Sequence, residues 1–320
     1  MGLIEQKILK NRYVVQLIDL AKRVSLPGFQ KVPVYDVLNL FIKAINEGVI
    51  AQRAAAVSFS FFLAIFPTMI FFFTLIPFIP IDGFQQELMD MITRALPDAT
   101  NESVMGVIQE VVTRPSSGVL SLGFILALFF ASNGFKSIII AFNSSVNIHK
   151  DRSFISLQLV SLVLVVVFSF TTIVTISSII MEGYLLDLLL EYDFIKQNAI
   201  YYLILIGDWI LLLGMIFFMV SFLYYYAPKS ENRFKLISTG STFATIIMVA
   251  VIYLFNIYIN NFGQYNVLYG SIGTLLIVML WIYINSFILL IGFEINSSIL
   301  QAKKIQSLNE EESFQNHIIE

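Results

Sequence analysis

The sequence predicts an all-α integral membrane protein with six transmembrane helices and both termini in the cytoplasm. Three observations lead to this fold class. Hydrophobic residues make up 58% of the 320 residues and charged residues only 13%, whereas a soluble domain carries about 25% charged residues. The apolar residues fall into six long runs. Lys and Arg are concentrated in the segments that alternate crossing would leave on one side.

Each apolar run is longer than the roughly 20 residues that cross a bilayer as a helix. Within the first run, Pro67 predicts a helix kink. In the fourth run, Gly207 and Gly214 would allow close approach of a neighbouring helix. The predicted spans are residues 54–80, 118–143, 154–181, 200–226, 237–260 and 271–300.

The orientation follows from the basic residues between the spans. One side holds fifteen Lys and Arg: eight in residues 1–53, two after the second span, three after the fourth and two in the tail. The other side holds three, Arg94, Arg114 and Lys196. The positive-inside rule therefore predicts cytoplasmic termini.

The segments outside the spans also carry patterns. Residues 34–50 are amphipathic and predict a helix on the inner leaflet. The external loop 81–117 predicts two short amphipathic helices separated by Pro97, which either cap the bundle or gate it. The turn at 260–270 either stays outside or re-enters the membrane. The tail 301–320 is predicted to be frayed and solvated, and no cleaved signal peptide is expected at the N-terminus.

Polar residues recur on single faces of the spans, as side chains that avoid lipid do. Such stripes either join helices to one another or line a polar interior. The candidate interior residues are Arg53 at the start of span 1, Ser132, Asn133, Lys136 and Asn143 in span 2, and Tyr283 and Glu294 in span 6, with Asp208, Asn256 and Asn260 as secondary candidates.

Lys136 and Glu294 lie at matching depth. At 1.5 Å per residue, each is about 10 Å from the predicted cytoplasmic end of its span. Opposite charges in a membrane usually pair, so we predict a Lys136–Glu294 ion pair that Arg53 joins. The alternative is that Lys136 reaches the interface alone. Asp208 has no basic residue at its depth, and we interpret it as either exposed to water or part of an outer vestibule.

The chain offers little for catalysis. It has no cysteine, and its two histidines, His149 and His317, are far apart in sequence. No metal-ligand spacing and no ATP-binding motif is present. We therefore expect a protein that is not an enzyme, that uses no cofactor or metal and that binds no nucleic acid.

Four stretches resemble the YihY/BrkB family of bacterial inner-membrane proteins, over roughly residues 35–300. They are RAAAVSFSFFLAIFPTMIFFFTLIPFIP from Arg53, IIIAFNSSVNIH from Ile138, FLYYYAP from Phe222 and YGSIGTLLIVMLWIYINSFILLIGFEINSSI from Tyr269. The resemblance implies a six-helix inner-membrane protein with cytoplasmic termini, and it makes Glu294 the acid of a shared G-x-E-[IL]-N motif. The family has carried a ribonuclease label and has been linked to lipid-related or other export.

These observations predict a permease or flippase for an anionic or amphipathic, lipid-like substrate, with no ATPase of its own. The alternative is a membrane scaffold or envelope-assembly factor that transports nothing. The partners expected are membrane lipids, and small residues on the span faces permit a homo-oligomer. Ribonuclease chemistry has no support in the residues present.

Overall fold

The computed structural model describes residues 12–47, 49–78, 116–145, 152–191, 199–229, 235–261 and 271–319. This part of the chain is helical and contains no strand. A single 3₁₀ turn, Ile76–Phe78, follows the third helix and includes Pro77. The helices are α1 (Arg12–Arg23), α2 (Val34–Glu47), α3 (Ile50–Leu75), α4 (Ser117–Asn143), α5 (Phe154–Glu191), α6 (Ala199–Tyr226), α7 (Thr239–Asn261) and α8 (Ser271–Ile319).

Six helices, α3 to α8, are long and apolar enough to cross a membrane. The six predicted spans are therefore confirmed. Pro67 lies inside α3, which continues through it. The predicted external loop 81–117 (apart from the start of α4) and most of the turn 260–270 lie outside the described residues.

The prediction of a frayed C-terminal tail was wrong. Helix α8 is 49 residues long and continues without a break from the last span to Ile319. The tail contains no Gly or Pro after Gly292 and is rich in Lys, Glu and Gln, which favour helix. Solvation and helicity are therefore compatible here.

The six spans form a ring. Each span packs against the next one along the chain, and α8 returns to pack against α3. Helices that are consecutive along a chain are usually neighbours in space. We call the end of the ring at which α3 begins and α4 and α6 end the Arg53 end.

Burial in the ring is concentrated at the Arg53 end. In α6 and the two residues after it the buried residues lie within 220–228, in α7 within 240–248, and in α8 mostly within 286–302. Among the described residues of the other halves of these three helices, only Gly273 is buried. The described core of these helices is therefore asymmetric along their axes.

Helices α7 and α8 cross in direct contact at two glycines. A Cβ on Gly240 would collide with the Gly292 carbonyl oxygen, and one on Gly292 would lie 2.8 Å from the Gly240 oxygen. At Gly207 and Gly214, where the sequence would allow close approach, a Cβ meets nothing within 4 Å among the described residues. Glycine in a span thus identifies a candidate crossing but not the actual one.

The N-terminal helices pack outside the membrane-spanning ring. Phe29, Val32 and Val37 form a small core with Ile299 and Ala302, which lie where α8 leaves the ring. The loop before α2 takes left-handed backbone at Gly28, with φ 91°, where a side chain would also collide with Thr239. The amphipathic helix predicted at 34–50 is present as α2, and one of its faces is buried against protein.

The opposite face of α2 is apolar and exposed. Leu38, Ile42 and Ile45 are 40–54% exposed and are spaced at helical intervals, so they form one stripe. The stripe leads directly into α3, whose outer side chains, such as Phe59, are exposed to lipid. We therefore expect α2 to lie in the membrane interface.

Single-cysteine labelling tests this placement, because the chain has no native cysteine to remove. A spin label at Ile42→Cys should collide with oxygen dissolved in lipid. A label at Lys43→Cys, on the exposed polar face, should collide with a water-soluble nickel reagent instead. Equal access of the nickel reagent to both labels in proteoliposomes would show that α2 stands clear of the bilayer.

Candidate functional site

A buried ion pair joins the first and last spans at the Arg53 end. Arg53 Nη2 lies 2.6 Å from Glu294 Oε1, and the two side chains are 9% and 0% exposed. Arg53 Nη1 donates to the carbonyl oxygen of Ala141, also at 2.6 Å. One guanidinium group therefore binds α3, α4 and α8 together.

The second carboxylate oxygen of Glu294 is also bonded. Ser145 donates its hydroxyl to Glu294 Oε2 at 2.7 Å, and its oxygen lies 3.1 Å from that of Ser297. Both carboxylate oxygens are thus satisfied, as a buried charge requires. Among the described residues, the buried Nε of Arg53 has no hydrogen-bond partner.

Three aromatic rings pack together at the Arg53 end. Phe142 and Phe293 stack with centroids 4.0 Å apart, and Tyr224 packs edge-on against both. Tyr224 donates to the Leu289 carbonyl oxygen at 2.7 Å. All three rings are fully buried, so this end of the ring has a packed aromatic core, two of whose residues directly precede Asn143 and Glu294 in the chain.

Two asparagines fasten the surrounding loops. Asn143 Oδ1 accepts the backbone N–H of Lys229 at 2.8 Å, which holds the segment after α6 to the end of α4. Asn296 Oδ1 accepts the N–H of Gly240, and its amide donates to Ser238. The N–H groups of a helix's first turn lack partners within the helix, so Asn296 supplies one to α7.

The glycine, acid and asparagine of the G-x-E-[IL]-N motif around Glu294 therefore each have a structural role. Its glycine, Gly292, permits the crossing with α7, its acid pairs with Arg53, and Asn296 binds the start of α7. These three residues, each two positions after the previous one, thus have three different roles on one segment of α8. The sequence shows the spacing but not the partners.

Arg152 closes the end of α6. Its guanidinium donates to the carbonyl oxygens of Tyr226, Ala227 and Pro228, at 3.4, 3.1 and 3.1 Å from Nη2. A cation there complements the negative end of the helix dipole. Partial burial lowers the pKa of the Arg152 guanidinium from its ordinary value, although arginine remains charged at neutral pH.

The predicted Lys136–Glu294 ion pair was wrong. Glu294 takes its counter-charge from Arg53, whereas Lys136 Nζ donates to Asn133 Oδ1 at 3.3 Å and lies 5.8 Å from the centre of the Phe154 ring. The two groups share a depth, but Lys136 points toward α5 and Glu294 toward α3. Depth alone does not decide which helices face each other.

The polar face of α4 meets α5. Ser132 lies 3.0 Å from Ser161, oxygen to oxygen, and accepts a hydrogen bond from Gln158 at 3.2 Å. By contrast, several hydroxyls of α3 and α5 bond to carbonyl oxygens of their own helices, as Thr74 does to Ile70 and Thr175 to Thr171. Such bonds satisfy a hydroxyl without a polar cavity.

The remaining predicted residues are dispersed. Tyr283 stacks on Phe287 in α8, and Asn256 is exposed on α7. The side chains of Asp208 and Asn260 lie outside the described residues. Sequence reasoning missed Ser145, Asn296 and Arg152, although the polar runs FNSS and INSS beside predicted span ends were the available signal. Among the described residues, no group of three or more His, Asp or Glu side chains could hold a metal ion.

Comparison with known proteins agrees with this geometry. The family model described as Virulence factor BrkB matches residues 41–316. The ribonuclease-like protein YfkH of Bacillus subtilis (strain 168) is 28% identical over 266 residues, which cover 83% of this chain and 94% of that protein.

A UPF0761 membrane protein of Psychrobacter sp. (strain PRwf-1) is 24% identical over 282 residues, 83% of this chain but only 50% of that protein. This chain therefore spans about half the length of that relative. A UPF0761 membrane protein of Pseudoalteromonas translucida (strain TAC 125) is 32% identical over 77 residues, 24% of this chain and 26% of that protein. No solved structure matches. With a family model that covers most of its length and six spans, the chain is a multi-pass membrane protein of the Virulence factor BrkB family.

Proposed function

We propose that this protein is an inner-membrane permease for an anionic or amphipathic, lipid-like substrate, with cytoplasmic termini and no ATPase of its own. The observation that supports this most is the asymmetric packing of the ring. The Arg53 end is closed by the Arg53–Glu294–Ser145 network and by the stacked rings of Phe142 and Phe293. The described far halves of α6, α7 and α8 bury almost nothing. A transporter held in one of two alternating states has this form.

The polar character of the closed end supports the same proposal. A buried ion pair adds little stability, because well-packed hydrophobic residues of similar volume often serve as well or better. It suits an interface that separates, since the parted carboxylate and guanidinium regain water. Arg53 and Glu294 connect the first and last helices of the ring. Opening there would part α3 from α8.

A scaffold that transports nothing is the second candidate, and one feature favours it. A groove of about 480 Å³ lies between α2 and the extension of α8, lined in part by Asp36, Asn39, Gln306 and Glu310. Its polar walls lie beyond the membrane-spanning segments, where a protein could bind. A scaffold would need the ion pair only to hold its helices together.

Reconstitution into liposomes separates the two candidates. We expect purified protein to accelerate either the exchange of fluorescent phospholipid between leaflets or the uptake of a small organic anion, relative to protein-free liposomes. Monodisperse, folded protein that supports neither flux would rule out the permease. The same preparation should leave RNA intact, because the ribonuclease-like name belongs to the Bacillus relative and is not part of this proposal.

A further inference from the structure

Lys136 is a half-buried ammonium group within a membrane-spanning helix, and we infer that it binds the anionic headgroup of a phospholipid at the seam between α4 and α5. The inference rests on the proposed function only in identifying this lipid with the class of molecule moved. Binding itself can be measured without any flux. Four side chains define the seam: Ser132, Asn133, Lys136 and Gln158.

The first step is that no described residue offers Lys136 an opposite charge within ion-pair distance. Its contacts are the Asn133 amide oxygen at 3.3 Å and the Phe154 ring at 5.8 Å, both without net charge. Among the described residues, the single ion pair joins Arg53 to Glu294, so that carboxylate is not available to Lys136. A charge at membrane depth without an opposite charge is costly, and an anion from outside the chain would supply one.

The second step is that the site opens toward lipid. Phe129 and Ile140 lie on the same face of α4 as Lys136 and are 54% and 52% exposed, and Phe154 of α5 is 76% exposed. Large apolar side chains exposed on a membrane span contact acyl chains. A soluble anion would have to leave water to reach such a surface, whereas a lipid already has its chains there. The occupant that fits is therefore a bilayer lipid.

The third step is depth. Lys136 is seven residues from the end of α4 at Asn143, which is about 10 Å along the helix axis. A lysine side chain extends toward the interface from such a position. Phe154 begins α5 at the Arg53 end, so the ammonium group and the headgroup layer meet beside it.

Beyond the cation, the seam continues inward as hydrogen-bonding groups. Gln158 donates to Ser132, which lies 3.0 Å from Ser161, and both serines are almost completely buried. These bonds hold α4 against α5 directly behind the cation. The seam thus presents one ammonium group to the lipid on a fixed helix pair.

Native mass spectrometry of the full-length protein in detergent tests the inference, with phosphatidylglycerol and phosphatidylcholine of equal chain length as probes. The wild type should prefer phosphatidylglycerol by about fivefold, the factor that one basic residue contributes at an anionic surface. Lys136→Met should remove the preference, and Lys136→Arg should keep it. Methionine is apolar and similar in length, so this variant should fold in a lipid-facing position.

The matched control is Lys304→Gln, an exposed lysine on the extension of α8 beyond the ring, which should leave the preference unchanged. Equal preference in wild type and Lys136→Met overturns the inference, as does displacement of the lipid by millimolar inorganic phosphate. Preference without flux in the liposome assay keeps the lipid site and rejects the permease. If Lys136→Met loses the preference for phosphatidylglycerol but still supports flux, the permease proposal stands, and the lipid site at Lys136 is not on the transport route.

Discussion

Glu294→Gln should lower the free energy of unfolding by about 3–5 kcal/mol, the cost of leaving one member of a buried ion pair without its partner. The glutamine keeps the shape of the side chain and can still accept a hydrogen bond, so the loss reports the missing charge. The guanidinium of Arg53 would remain nine-tenths buried with its charge uncompensated. Unfolding by a denaturing detergent, followed by tryptophan fluorescence, measures the difference.

Two double-mutant cycles identify the partner of Glu294. Arg53→Gln combined with Glu294→Gln should cost less than the sum of the single changes, because no unpaired charge is left. Lys136→Gln combined with Glu294→Gln should cost the sum, since Lys136 contacts Asn133 and Phe154 instead. Strong coupling in the Lys136 cycle, with additivity in the Arg53 cycle, would contradict the geometry described above.

Gly240→Ala should destabilise the protein by about 1–3 kcal/mol, the usual cost of overpacking a close contact. Its Cβ would strike the Gly292 carbonyl oxygen and lie 2.7 Å from the side chain of Asn296. The first obstacle is backbone, so α7 and α8 would have to separate. Thermal unfolding in detergent should therefore shift to lower temperature.

Gly214→Ala is the matched control for this prediction. The same methyl group at Gly214, in α6, meets nothing within 4 Å in the described structure. Alanine favours helix over glycine by about 1 kcal/mol, so this variant should be neutral or slightly stabilised. If both alanines have the same effect, steric contact at the α7–α8 crossing is not what fixes a glycine at 240.

The position of each membrane span along the sequence could be predicted, since it depends on local composition, whereas the continuation of α5 to Glu191 and of α8 to Ile319 was not predicted. Span 2 was expected at 118–143 and is Ser117–Asn143, and span 4 was expected at 200–226 and is Ala199–Tyr226. Apolar run length and helix rise determine these limits. The same calculation, residues from the span end multiplied by the helix rise, places Glu294 and Arg53 near the same end of their spans.

The neighbours of each helix face could not be predicted from sequence, because they depend on the order of helices around the ring. Lys136 and Glu294 were paired on depth, but α4 packs mainly between α3 and α5, and α8 packs between α3 and α7. Arg53 therefore reaches Glu294 while Lys136 faces α5. The polarity of a residue does not identify its partner either. The hydroxyl of Thr175 on α5, for example, bonds to a carbonyl oxygen of its own helix.

The continuity of α8 has a mechanical consequence. From Glu294 to Ile319 the helix has no break, a distance of about 38 Å at 1.5 Å per residue. A rigid rod of that length, tilted by about 10° at the ion pair, moves its tip by about 7 Å. The ion pair would then lie at the point about which α8 tilts. A small rearrangement inside the bilayer would be amplified beyond it, where a partner or a label on the tip can register it.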